Sequence, residues 1–219
     1  MTRPRVLDLR GSVPGAEELA PAAAHVAAGG ILAYPTETVY GFGGLSTPEA
    51  VARVRHLKRR DEDRPLLVLA RSMDDVAHLE WTDAARELAS IFWPGAVTLV
   101  LGDPRGSFPP GIRSAVGAVA VRVSPHPVAA SLLAQLPGPL TSTSANAPGK
   151  PPAADGTEAL AAGVALGAGE ELLVLDVGLL PPSGPSTIVD CTGTVPVVLR
   201  EGTVPLHRLR CAVPEIHAR

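Results

Sequence analysis

Short apolar runs alternate along the chain with stretches in which apolar positions recur every three or four residues. The runs 6–9, 31–34, 66–70, 97–101, 119–123, 140–143, 172–175, 187–189 and 195–199 read as strands. The segments 17–28, 48–57, 73–78, 82–92, 127–135 and 158–166 read as helices. Local punctuation supports these limits. Thr47-Pro48-Glu49 offers a capping hydroxyl, a proline at the first helical position and an early acid, and Val51, Val54 and Leu57 then share one face. Gly29-Gly30 closes the first helix. Strands alternating with helices predict an α/β domain around one sheet, and the adjacent strands late in the chain make that sheet mixed. No internal repeat is visible.

Length adds one constraint: 219 residues suit one domain, here residues 1–208, with a short tail over 209–219. Apolar residues make up 46% and charged residues 19%, so the chain has the means to fold and is not disordered. Gly and Pro form about a fifth of it without any period, which predicts many tight turns. The net charge of −3 excludes a globally basic nucleic-acid binder but leaves room for a local basic groove. Cys191 and Cys211 have no metal-ligand spacing. The start MTRPRVLDLR is too charged for a signal sequence, and no apolar stretch reaches the roughly 18 residues that span a bilayer. A cytoplasmic protein without a membrane segment is the expectation. Among the 19 basic residues only Lys58 and Lys150 are lysines. In an arginine-rich background a retained lysine points to a task that arginine does poorly.

Three segments carry chemistry. The run from Tyr34 to Gly44, YPTETVYGFGG, follows a predicted buried strand and reads as a turn with two threonine hydroxyls, a carboxylate and several glycines. Such a turn lets backbone amides approach an anionic or zwitterionic ligand, or it is a glycine-rich connection with tyrosines in the core. It matches neither a Walker A loop nor a dinucleotide fingerprint. Lys58-Arg59-Arg60, with Arg64 close by, ends a predicted helix. It serves the helix dipole, or it clamps phosphate, with Asp61, Glu62 and Asp63 placed to neutralise it. Thr141 to Asn146, TSTSAN, sets four hydroxyls and an amide at a strand end, as a turn or as a polar ligand row. If that strand stays extended, Ser142, Ser144 and Asn146 share one face and Thr141 and Thr143 the other. Residues 183–187 (SGPST) and Arg200-Glu201-Gly202 have the same character, and Arg122 interrupts an apolar strand, where it must be paired or meet a ligand. The six histidines are scattered and no nucleophile set is suggested by spacing. Cations, hydroxyls and glycines suit charge stabilisation better than acid–base catalysis.

In order along the chain, YPTETVYGFGG, Lys58-x-Arg60 with Pro65-Leu66 after it, Phe92-Trp93-Pro94-Gly95-x-x-Thr98, AVRV, STSAN with Gly149, STIVD and Leu199-Arg200-Glu201-Gly202 resemble the YrdC-like family, in its single-domain form. The resemblance covers about Gly30 to Gly202. It implies a twisted mixed sheet flanked by helices with a concave basic groove, so that 1–208 is a YrdC-like catalytic domain. It implies a nucleotidyltransferase that joins L-threonine, bicarbonate and ATP, with Mg²⁺, into L-threonylcarbamoyladenylate and pyrophosphate. Partner proteins then pass the threonylcarbamoyl group to tRNA.

Carried over residue by residue, Thr36 and Thr38 fall on the family's threonine-site hydroxyls, with Lys58 and Arg122 beside them. Lys58 and Arg60 are the catalytic cation pair. Arg60, Arg122, Ser142, Ser144, Asn146, Ser186 and Arg200 fall on nucleotide and phosphate contacts. No residue is expected to hold a resident metal. Asp61 stands where the family often has proline, which implies an altered loop. Two other readings stay open: a carbamoyl-adenylate-forming paralogue on the same fold, and a module that binds tRNA or double-stranded RNA weakly in the groove without catalysis.

Overall fold

The computed structural model describes residues 3–11, 13–59 and 64–219. Helices begin where the sequence supplies caps. Thr47 Oγ1 accepts the Ala50 amide at 3.3 Å to start α2 (Pro48–Lys58), following α1 (Ala16–Ala27). Thr82 does the same for α3 (Asp83–Phe92). α4 (Pro127–Leu133) starts on a proline, and Asp155 caps α5 (Gly156–Ala165) at 2.7 Å. A last helix, α6, spans Leu206–Ala212.

The strands are β1 (Arg5–Asp8), β2 (Ile31–Pro35), β3 (Tyr40–Gly43), β4 (Leu67–Leu69), β5 (Val97–Gly102), β6 (Ala118–Arg122), β7 (Leu140–Ser144), β8 (Leu172–Asp176), β9 (Thr187–Asp190), β10 (Val197–Arg200) and β11 (His217–Ala218). They join in the order β1-β8-β2-β3-β7-β4-β6-β5-β9-β10-β11. Parallel and antiparallel pairs mix: β2 runs parallel to β8 and antiparallel to β3, and β6 runs parallel to β4 and antiparallel to β5. The expected mixed α/β sheet is the observed one.

Alternation along each strand divides the two faces. Val68, Val97, Leu99, Val119, Val121 and Val189 point to a large core with Val51 and Val54 of α2, Leu88 of α3, Ala159 of α5 and Leu209 of α6. The opposite face carries a smaller core in which Leu32, Tyr34, Leu69, Leu140 and Leu173 meet Leu19 and Val26 of α1 and Leu132 of α4. Those two helices lie over the β8-β2 side of that face and reach Leu140 of β7 and Leu69 of β4. Beyond them Leu67, Thr98, Ala120 and Ile188, at the alternate positions of β4, β5, β6 and β9, border an open cavity.

Three sequence expectations change. The segment after Tyr34 is not a turn throughout: Tyr40–Gly43 forms β3, paired with β2 and β7. Its glycines permit the approach, since a Cβ on Gly43 would lie 1.8 Å from the Thr141 carbonyl oxygen. The helix expected over 73–78 shrinks to a single 3₁₀ turn at Asp74–Val76. The residues expected as an appendage are packed: Leu209, Val213 and Ile216 lie in the large core, and β11 adds to β10. The position 208/209 falls inside α6.

Candidate functional site

The uncovered part of the sheet face forms a cavity of about 340 Å³, within the range of pockets that hold small ligands. Its floor is set by strand register. Leu67 of β4 pairs with Ser142 of β7, and Thr98 of β5 pairs with Ile188 of β9. Arg200 of β10 is opposite Ile188. Arg122 from β6 and Arg200 from β10 thus reach the same cavity across two intervening strands, with Thr98 and Ile188 between them.

At one end, Thr36 and Thr38 form a closed turn. Their hydroxyls are 2.9 Å apart, and Thr36 Oγ1 donates to the Val39 carbonyl at 2.7 Å. Arg122, only 4% exposed, donates from Nη1 to Thr38 Oγ1 at 3.1 Å and lies 3.2 Å from Glu37 Oε1. Ser124 Oγ donates to the other Glu37 oxygen at 2.5 Å. Burial pushes the Arg122 pKa down from its ordinary value, opposed by the charge of Glu37. At the other end, Arg200 Nη2 donates to the Ser186 carbonyl at 2.8 Å, and Ser186 Oγ meets Thr98 Oγ1 at 2.9 Å. The Arg200 pKa is lowered by burial and then by the positive charge of Arg122. Two guanidiniums that repel across a partly dry cavity favour an anion between them.

The β7 hydroxyls divide as alternation predicts at three positions and not at the fourth. Ser142 and Ser144 line the cavity, and Thr141 does not. Thr141 Oγ1 instead accepts the Gly44 amide at 3.0 Å and donates to the Gly44 carbonyl at 3.1 Å. Thr143 also borders the cavity. Gly41 beside it has no side chain to screen the backbone: a Cβ there would come within 3.3 Å of the Thr143 carbonyl oxygen. This division predicts separable effects. Thr141→Val should cost about 1–3 kcal/mol of stability by taking the acceptor from the Gly44 amide, with ligand affinity unchanged. Ser144→Ala should weaken binding of a ligand in the cavity and cost no more than about 1 kcal/mol of stability, for the bond from Ser144 Oγ to Asn146 Oδ1. Thermal melts beside nucleotide titrations of both variants check this.

Lys58 and Asn146 stand behind the wall, outside the cavity lining. The Lys58 ammonium donates to the carbonyls of Ser144 and Asn146 and to Asn146 Oδ1, at 2.8, 2.5 and 2.8 Å. Asn146 Oδ1 also accepts from Ser144 Oγ at 2.7 Å, and its Nδ2 donates to the Lys150 carbonyl at 2.6 Å. Arg60 lies outside the described residues, as do Asp61, Glu62 and Asp63. The structure therefore brings together Thr36, Thr38, Arg122, Ser142, Ser144, Ser186 and Arg200, with Lys58 and Asn146 one hydrogen bond away. Three members of the arrangement were not among the site candidates. Thr98 sat inside a recognised segment, and Glu37 was visible as an acid between two threonines. Ser124 had no signal beyond lying two residues past Arg122.

The model of the Sua5–YciO–YrdC family, which bears the description Telomere recombination, matches residues 24–202. A protein of Mycobacterium tuberculosis called a putative threonylcarbamoyl-AMP synthase is 38% identical over 84% of this chain and 83% of its own length. The threonylcarbamoyl-AMP synthase of Chromohalobacter salexigens is 39% identical over 80% of this chain and 93% of its own. Among solved structures, Sua5 of Pyrococcus abyssi complexed with L-threonine superposes with a TM-score of 0.88 at 30% identity. All of this chain is covered there, but it spans only 63% of that longer protein.

Proposed function

The chain belongs to the Sua5–YciO–YrdC family and is an enzyme of the threonylcarbamoyl-AMP synthase type, and from that premise we propose that it joins L-threonine, bicarbonate and ATP into L-threonylcarbamoyladenylate, releasing pyrophosphate. The product serves threonylcarbamoyl modification of tRNA, through partner proteins that take up the activated group. One observation carries the reading: two arginines bracket a hydroxyl-lined cavity of about 340 Å³ on an uncovered sheet face. The chemistry asks for that arrangement. A threonine carbamate is already an anionic oxygen nucleophile and needs no strong base. It must approach the α-phosphorus of ATP, itself highly anionic, so fixed cations lower the barrier most. Arg122 with Thr36 and Thr38 would hold the threonine end. Arg200, Ser186, Ser142 and Ser144 would hold the nucleotide. Lys58 would act from behind Ser144, together with Arg60.

The lining donors, hydroxyls and guanidiniums, suit phosphate oxygens and not a bare divalent cation, so Mg²⁺ is proposed to arrive on ATP as part of that substrate. Among the described residues no helix is long and apolar enough to cross a membrane. A cytoplasmic location and weak RNA binding remain part of the proposal.

A site that bonds the substrate hydroxyl discriminates strongly against an analogue lacking it. Adenylate formation, followed by mass spectrometry of the product, should therefore be highest with threonine, lower with serine and near background with valine. Equal turnover of valine would remove the hydroxyl contact from the mechanism.

A further inference from the structure

Arg122 is held from behind by a carboxylate that does not line the cavity. Glu37 sits between the two threonines of the turn, and its Oε1 approaches Arg122 Nη1 at 3.2 Å. Its Oε2 accepts from Ser124 Oγ at 2.5 Å. Ser124 Oγ in turn accepts the amide of His126, the N-cap residue of α4, at 3.2 Å. The chain of contacts thus runs from the helix start through Ser124 and Glu37 to the guanidinium. The cavity is bordered by Thr36, Thr38 and Arg122 but not by Glu37. Arg122 Nε and Glu37 Oε1 are both buried without a hydrogen-bond partner, so the pair is an ion pair in offset geometry and not a two-bond fork. An offset pair leaves the guanidinium turned toward Thr38 and the cavity.

We propose that Glu37, seated by Ser124, is a positioning residue that fixes the Arg122 guanidinium for the carboxylate of the amino-acid substrate. This rests on the functional reading above, in which Arg122 holds the threonine end. Glu37 touches no substrate and acts only through Arg122. Its charge also keeps the threonine end from carrying an uncompensated guanidinium before substrate arrives.

The test compares the wild type, Glu37→Gln, Ser124→Ala, Arg122→Ala and the Glu37→Gln/Arg122→Ala double variant. Calorimetric titration with L-threonine should show about tenfold weaker binding in Glu37→Gln, the size expected for a charge-assisted contact. The affinity for ATP should move by less than about threefold, within the range of a neutral contact. In the Arg122→Ala background Glu37→Gln should add nothing further. Ser124→Ala loosens the same hold indirectly, leaving the Glu37–Arg122 ion pair itself in place, and should give the same pattern at about threefold, a part of the Glu37→Gln effect. It carries the test if Glu37→Gln does not fold. Equal losses for threonine and ATP, or an undiminished Glu37→Gln effect without Arg122, would overturn the proposal. A wild type that binds no threonine would instead overturn the functional reading. The positioning claim is then read from rotation of the Arg122 guanidinium by NMR: restrained in wild type and freed in Glu37→Gln as proposed, equal in both if wrong.

Discussion

Lys58→Ala is expected to lose adenylate formation by about a hundredfold, the scale of a small misplacement of a site wall, and Lys58→Arg is expected to recover little of it. The Lys58 side chain leaves the last residue of α2, where Arg59 turns the chain into the left-handed region at φ 48°. It crosses the Phe42 ring, 5.9 Å from its centroid. Its one nitrogen then meets the Ser144 carbonyl, the Asn146 carbonyl and Asn146 Oδ1. Among the described residues, three acceptors converge on that one atom, which suits the tetrahedral donors of an ammonium. A guanidinium spreads its donors over a plane and cannot reproduce that geometry. Alanine would take the ammonium from the Asn146 carbonyl, while the Ser144 carbonyl keeps the Asn146 amide at 3.1 Å, and would release the segment that places Ser144 in the cavity wall. The stability cost should be about 1–3 kcal/mol, small enough to leave a folded protein. Pyrophosphate release beside a thermal melt separates the two effects. Full turnover in Lys58→Arg would show that only charge matters here.

The second large effect is at Arg122. Arg122→Ala should reduce turnover by about a thousandfold, the upper range for removing one preorganised donor from a dry site. It should also destabilise the fold by about 3 kcal/mol, because Glu37 keeps its charge without its partner. The two losses have different remedies. Glu37→Gln/Arg122→Ala removes the stranded charge, so its Tm should return most of the way, while its turnover stays low. Recovery of turnover together with stability would place Arg122 in the scaffold and not in the site.

Much of this was legible in the sequence, and the gaps have physical causes. Helix α2 was readable because Thr47, Pro48 and the apolar face of Val51, Val54 and Leu57 all act locally. Strand β3 was hidden because Gly41 and Gly43 count as strand breakers, although the close approach of β7 requires them. The end of the chain looked like an appendage because Leu209, Val213 and Ile216 show their purpose only when α6 packs on the large core. In the site, Ser142 and Ser144 were readable from the period of two. The ammonium cradle was not, because two of the acceptors among the described residues are backbone carbonyls, which every residue carries. The Glu37–Arg122 pair joins residues far apart in the chain, and nothing local links an acid in one turn to an arginine on a distant strand.

In the proposed reaction, the cavity between Arg122 and Arg200 joins a threonine-derived carbamate to the α-phosphorus of ATP. The most direct measurement is pyrophosphate release from ATP by the wild-type protein, with L-threonine and bicarbonate added together and each omitted in turn. Release is expected only when both are present, matched one for one by threonylcarbamoyladenylate, and nearly abolished in Arg122→Ala. Release that continues without threonine or without bicarbonate, or a wild type that releases none under any combination, would contradict it.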